Sequence, residues 1–183
     1  MRIWNLLHKL LLVLILVGFP LSSIAAETYD ENQLKAAITY NVAKFVKWPE
    51  GTFVDKKSPL IICVLGSGAA ASGFSSLEGQ TLGTRPVHVK YFKTLNDFQG
   101  GHILYVVHSQ VSHLDEVLNS LQKTPLLTIS DIDNFASRGG MINLVKVGKN
   151  IRFAINLDAS MAANLRVSSK LHALATEVIR SKD

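Results

Sequence analysis

Apolar residues run without a polar interruption through residues 10–17, and the pattern of apolar positions then changes kind several times before the chain ends. Arg2 and Lys9 precede that run, Gly18 and Pro20 break it, and Ser23-Ile24-Ala25 follows with small residues at its first and third positions. This order of basic start, apolar stretch and small-residue site predicts an export signal over residues 1–25, cleaved near Ala25. The run falls short of the roughly 18 to 20 apolar residues that cross a bilayer, so no stable membrane span is expected. No Cys stands at the cleavage site to carry a lipid, and no twin-Arg pair marks export of a prefolded, cofactor-loaded chain.

Downstream, Asp30 and Gln33 precede Leu34, Ala37, Ile38, Val42 and Phe45, which predicts a capped amphipathic helix closed by Trp48-Pro49. Leu60-Ile61-Ile62-Cys63-Val64-Leu65 is apolar at every position, the pattern of a central strand covered on both faces. Residues 87–92 and 103–107 read as further strands. Ser112 and Asp115 open a helix with Leu114, Val117, Leu118 and Leu121 on one side, and Pro125 leads into a short strand at 126–129. Two strand-like runs, 141–147 and 151–156, are separated only by Gly148-Lys149-Asn150, which demands an antiparallel hairpin. Asp158 is placed to cap a short helix. Ser168 is placed to cap a last one, on which Leu171, Leu174, Ala175, Val178 and Ile179 would form one face. The expected fold is α/β: a three-layer sandwich with a mostly parallel, Rossmann-like sheet, extended by an antiparallel C-terminal hairpin and with helices on both faces.

Cleavage would leave residues 26–183, the size of a single domain with one continuous core. Loss of Arg2 and Lys9 takes the formal charge from +5 to +3, too little to imply nucleic acid. Cys63 is the only cysteine, so an intramolecular disulfide is excluded and stability must come from the core.

Catalytic chemistry is hard to assemble from this sequence. Gly66-Ser67-Gly68-Ala69-Ala70-Ala71 has the form of a dinucleotide fingerprint, but Val87-His88-Val89-Lys90-Tyr91 offers no acid where the ribose would need one; the segment reads as a turn into a small helix. There is no nucleophile elbow, and Cys63 sits inside an apolar run where thiols are inert. His88, His102, His108, His113 and His172 show no i, i+4 pair, so no metal or other cofactor is expected. Arg152, between Ile151 and Phe153, needs either solvent or a buried acceptor, and Asp131 is the nearest attractive one, as a structural or ligand-binding polar pair. The first helix carries Tyr40, Phe45 and Trp48 interleaved with Lys44 and Lys47. Much of that aromatic surface belongs to a core, but Tyr40, Lys44, Lys47 and Trp48 together also describe a partner-binding patch.

The ordered segments Lys35-Ala36-Ala37-Ile38-Thr39-Tyr40-Asn41-Val42-Ala43-Lys44-Phe45-Val46-Lys47-Trp48-Pro49, Ile62-Cys63-Val64-Leu65-Gly66, His102-Ile103-Leu104-Tyr105-Val106, Leu127-Thr128-Ile129-Ser130-Asp131, Gly139-Gly140-Met141-Ile142 and Ile151-Arg152-Phe153-Ala154-Ile155-Asn156 resemble the YfiR family. These are small periplasmic α/β proteins best known as repressors of an inner-membrane diguanylate cyclase. The resemblance implies a periplasmic, non-enzymatic regulator. Its partner would be the cyclase's periplasmic sensor domain, which it would hold inactive, lowering cyclic-di-GMP output and biofilm formation; a homodimer stays open. Two departures stand out. The family commonly has a cysteine where Gly101 stands, disulfide-bonded to the position of Cys63, and an acid where Ala154 stands. The alternative class is a periplasmic small-ligand binding or sensor protein using the loops after the parallel strands. Export predicts that N-terminal sequencing of the chain from an envelope fraction finds a start beside Ala26; a start at Met1 contradicts it.

Overall fold

The structure, a computed structural model, describes residues 30–181, so the export segment 1–25 lies outside it. In chain order the elements are α1 (Glu31–Ala43), β1 (Val46–Lys47), β2 (Leu60–Leu65), α2 (Ala69–Ser72), β3 (Thr81–Leu82), β4 (Arg85–Phe92) and β5 (Ile103–Val106). There follow α3 (Leu114–Ser120), β6 (Leu127–Ser130), β7 (Ile142–Val147), β8 (Asn150–Asn156), α4 (Leu157–Ala162), β9 (Arg166–Val167), α5 (Ser169–His172) and β10 (Glu177–Ile179). Eight strands form one sheet in the order β10-β8-β7-β6-β5-β2-β4-β3, and β1 pairs with β9 in a separate antiparallel ribbon. The strands from β4 through β7 run parallel, whereas β8 turns back along β7.

β2 shows why the chain needs three layers. Because successive side chains leave a strand on opposite faces, Leu60, Ile62 and Val64 enter one core with α1, Phe74 and Leu77, while Cys63 and Leu65 enter another with Leu114, Val117 and Leu118 of α3. The mostly parallel α/β sandwich expected from the sequence is the observed fold.

The second face is covered partly by irregular chain. The β6–β7 connection, residues 131–141, is not helical, yet Ile132 and Phe135 are buried. Its backbone is satisfied by polar side chains rising from the sheet. Ser130 Oγ accepts from Ile132 N–H (3.0 Å), Thr128 Oγ1 accepts from Met141 N–H (3.0 Å), Asn143 Nδ2 donates to Ile132 O (3.0 Å), and Asn156 Nδ2 donates to Ala136 O (2.7 Å). Buried loops are rare because their peptide groups lose water; here four buried side chains replace it.

Several local expectations are corrected. Asp30 does cap α1, accepting from Asn32 N–H at 3.0 Å, but α1 stops at Ala43 rather than at Trp48-Pro49. Val46 and Lys47 leave it to pair with Val167 and Arg166, and Ser168 N–H donates to Phe45 O. Asn156, not Asp158, caps α4, through Ala159 N–H at 2.9 Å. The hairpin turn has two residues, since Asn150 already pairs with Val147. Ser168 caps α5 as expected, but the last helix ends at His172. Residues 177–179 then add a parallel strand to β8, secured by Thr176 N–H donating to Phe153 O at 2.9 Å. An open β8 edge would have left its peptide groups unpaired, and that backbone demand overrides the helical spacing; Leu174 is left 58% exposed.

Cys63 is fully buried, and loss of hydration pushes its thiol up to about 11. A Cβ on Gly101 would lie 2.4 Å from Cys63 Sγ, so the two positions that the resemblance joins by a disulfide are in contact here. Gly101→Ala is therefore expected to cost about 1 to 3 kcal/mol by overpacking, with much of the loss recovered in the Cys63→Ala background. A four-member denaturation cycle measures this coupling, and simple additivity would show that the thiol does not hold position 101 small.

Candidate functional site

Trp48 owes its position to one long-range constraint and one local one. Pairing of β1 with β9 pulls the chain out of the helix, and Pro49 keeps residue 48 extended. The indole Nε1–H donates to His102 O at 3.3 Å, and the ring meets Phe53 edge-on at a centroid distance of 5.9 Å and 78°. Phe53 in turn stacks on His102 (4.4 Å, 10°), and the Arg85 guanidinium lies 3.8 Å from the Phe53 ring centre. Arg85 Nη1 also donates to Asp55 O and Ser58 O, at 2.6 and 2.9 Å. The result is a stack of Arg85, Phe53 and His102 with Trp48 at its edge, fastening the loop before β2 to the amino ends of β2, β4 and β5.

His102 is held neutral. Its Nδ1 accepts from Ile61 N–H at 2.9 Å, which a protonated ring could not do. Burial holds its pKa below the usual 6.5; a backbone hydrogen bond with Thr52 works against the shift and Arg85 adds to it.

The structure distributes Lys44, Lys47 and Trp48 of the expected patch over two clefts and places Tyr40 beside Lys44, in the lining of neither. Tyr40 Oη donates to Thr81 O at 2.7 Å, and Lys44 Nζ lies 4.4 Å from the Tyr40 ring centre while donating to Asn41 Oδ1. Lys44 borders a cleft of about 390 Å³ with Trp48, Phe53 and Arg85. Lys47 borders a larger one of about 520 Å³ with Trp48, Glu50, Met161 and Arg166. Trp48 is the wall the two clefts share. Phe53, Arg85, Met161 and Arg166 were missed from the sequence, because nothing local in it announces that residues 85 and 161–166 meet residue 48.

The expected Asp131–Arg152 pair does not form. Ile151 and Phe153 turn toward the α1 side of the sheet, so alternation sends Arg152 to the other side. There it is exposed, and among the described residues no carboxylate lies within ion-pair distance of it. Asp131 instead accepts from Lys35 Nζ at 2.7 Å. Lys35 also meets Glu31 at 2.8 Å, and Glu31 reaches Lys146 on β7. Hydrogen bonds from Lys146 and Lys35 bring Glu31 down to about 2. Burial works against the Lys35 charge, but bonds to Asp131 and Glu31 outweigh it and raise its pKa. Burial, with Asp131 nearby, also raises the Tyr105 phenol, although neither Tyr105 Oη nor Asp131 Oδ1 completes a hydrogen bond of good geometry. This network fastens α1 to the sheet.

The glycine-rich turn after β2 is packed against its neighbour: Ser67 N–H donates to Ser109 Oγ at 3.1 Å, and a Cβ on Gly66 would lie 2.7 Å from the same oxygen. Among the described residues no group of three or more His, Cys, Asp or Glu is placed to hold a metal ion, and no helix is long and apolar enough to cross a membrane.

The YfiR/HmsC-like family model matches residues 32–176, from the first turn of α1 to the residue before β10. The chain belongs to the YfiR/HmsC-like family. The match spans both clefts, the Lys35–Asp131 ion pair and the Cys63–Gly101 contact of this family member. Among solved structures, the ABC domain in complex with L-Trp from Streptococcus pneumonia superposes with a TM-score of 0.53 at 11% identity. A conserved domain protein from Vibrio cholerae O1 biovar El Tor superposes with the same TM-score at 14% identity. In both cases 81% of this chain and 60% of the other is covered, a likeness of fold. No curated protein matches the sequence significantly.

The neutral His102 gives a pH dependence of defined sign. Its folded pKa lies below 6.5, so the unfolded chain takes up the proton first. The stability it contributes is intact above about pH 6.5 and is lost as pH falls from there through the folded value. Urea denaturation of the wild type and His102→Gln at about pH 7.5 and pH 5.5 should show a smaller acid-side loss in the variant; equal losses would place the titration elsewhere.

Proposed function

We propose that this chain is a periplasmic, non-enzymatic regulator that binds the sensor domain of an inner-membrane diguanylate cyclase and represses it, lowering cyclic-di-GMP signalling. Membership of the YfiR/HmsC-like family over residues 32–176 carries this reading. The location of the aromatic surface supports it. Open α/β sheets take small ligands at the carboxyl ends of their strands, whereas Trp48, Phe53 and His102 gather at the amino ends of β2 and β5, leaving this surface to a macromolecular partner. Tyr40, Lys44, Lys47 and Trp48 are the proposed partner-binding residues. In this reading Tyr40 and Lys44 brace the patch, while Lys47 and Trp48 face the partner.

Deletion of the gene is expected to raise cellular cyclic-di-GMP, and reintroducing it should restore the lower level. Nucleotide extraction and quantification with the cognate cyclase expressed is the measurement; unchanged levels after deletion would refute repression.

A further inference from the structure

In the β1–β9 ribbon, Lys47 stands directly opposite Arg166. Cross-strand neighbours lie about 5 Å apart at Cβ, and like charges placed so destabilise a ladder. Both side chains are exposed, and among the described residues neither has a carboxylate within ion-pair distance. The pair stands at the 520 Å³ cleft, whose remaining wall includes Trp48 and Met161. Met161 is 53% exposed, a flexible apolar side chain left in water beside two uncompensated cations. Glu50 is the single acid in the lining.

Resting on the regulator reading above, we infer that the Lys47–Arg166 pair and the Trp48–Met161 wall are the docking site for an acidic segment of the sensor domain that carries a large apolar side chain beside its carboxylate. Charge complementarity argues for that occupant: a carboxylate between the two cations removes their repulsion, and Arg presents a fork that binds carboxylates in two places. The apolar neighbour would cover Met161 and the free face of Trp48, the residue types enriched at interface centres. A small free anion fits less well, since ligand pockets enclose most of their ligand and this cleft is bordered by the exposed side chains of Lys47, Glu50, Met161 and Arg166. The site also moves the centre of contact from Lys44 and Tyr40, which are occupied with each other, to β9 and the end of α4.

The test titrates the purified chain with the purified periplasmic sensor domain of the cyclase whose output the deletion raises. Lys47→Glu and Arg166→Glu are each expected to weaken binding tenfold or more and to remove most of its salt dependence. Lys149→Glu, the same charge change in the exposed β7–β8 turn, should leave it unchanged. Lys47→Glu also places opposite charges across the ladder, so its melting temperature should hold or rise by about 1 to 3 °C; binding lost from a protein no less stable than wild type cannot be misfolding. Wild-type affinity in both ribbon variants would overturn the inference while leaving the regulator reading intact. An equal loss in Lys149→Glu would reduce it to general charge attraction. Self-association abolished by Lys47→Glu, without effect on the sensor domain, would overturn it in favour of a second copy. No binding by the wild type would overturn both readings.

Discussion

Covering both faces of β2 is the constraint on which the rest of this fold depends. Its six residues contain no polar side chain, and a strand of that kind is stable only between two dry layers. On one side the chain supplies α1 and the short helical turns around Phe74; on the other it supplies α3. Gly73 shows how closely the first layer is set, because a Cβ there would fall 2.5 Å from the backbone carbon of Asn32. The Lys35–Asp131–Glu31–Lys146 network then fixes where α1 lies along the sheet. Such networks contribute modestly to stability when partly exposed, so registration of the helix is their clearer consequence.

The second layer is built differently toward β6, β7 and β8. Residues 131–141 cover part of that face, and their peptide groups are met by Thr128, Ser130, Asn143 and Asn156. A buried donor or acceptor left unmet costs about 1 to 3 kcal/mol, so these polar residues inside an otherwise apolar sheet are as necessary to the core as its leucines. Gly140 belongs to the same solution, since a Cβ there would lie within 2.1 Å of the Phe135 ring. The sheet is closed off at β10, where three residues take up the open edge of β8.

The proposed interface follows from these choices. Because α1 ends early and its continuation pairs with β9, Trp48 and Lys47 are carried to the amino end of the sheet and set against the end of α4. The Arg85–Phe53–His102 stack meets the Trp48 ring at its edge and His102 O takes its Nε1–H, while the ring still borders both clefts. A half-buried, hydrogen-bonded tryptophan is preorganised, and little side-chain freedom is lost when a partner covers it.

Sequence alone determined the α/β class, the central place of β2, the β7–β8 hairpin and the caps at Asp30 and Ser168. Each of these is a local matter of apolar periodicity, of turn chemistry, or of a side chain bonding a peptide two or three residues away. It also picked out Trp48, Lys44 and Lys47 as residues surplus to a helical face. Tertiary structure decided the rest: the early end of α1, the conversion of residues 177–179 from helix face to edge strand, the partner of Asp131, and the opposition of Lys47 to Arg166. In each case the deciding group lies far away in the chain. A backbone edge on β9 or β8 that must find hydrogen bonds, or a strand alternation that sends Arg152 to the face opposite Asp131, outweighs the few tenths of a kcal/mol per residue by which local propensity favours one conformation over another.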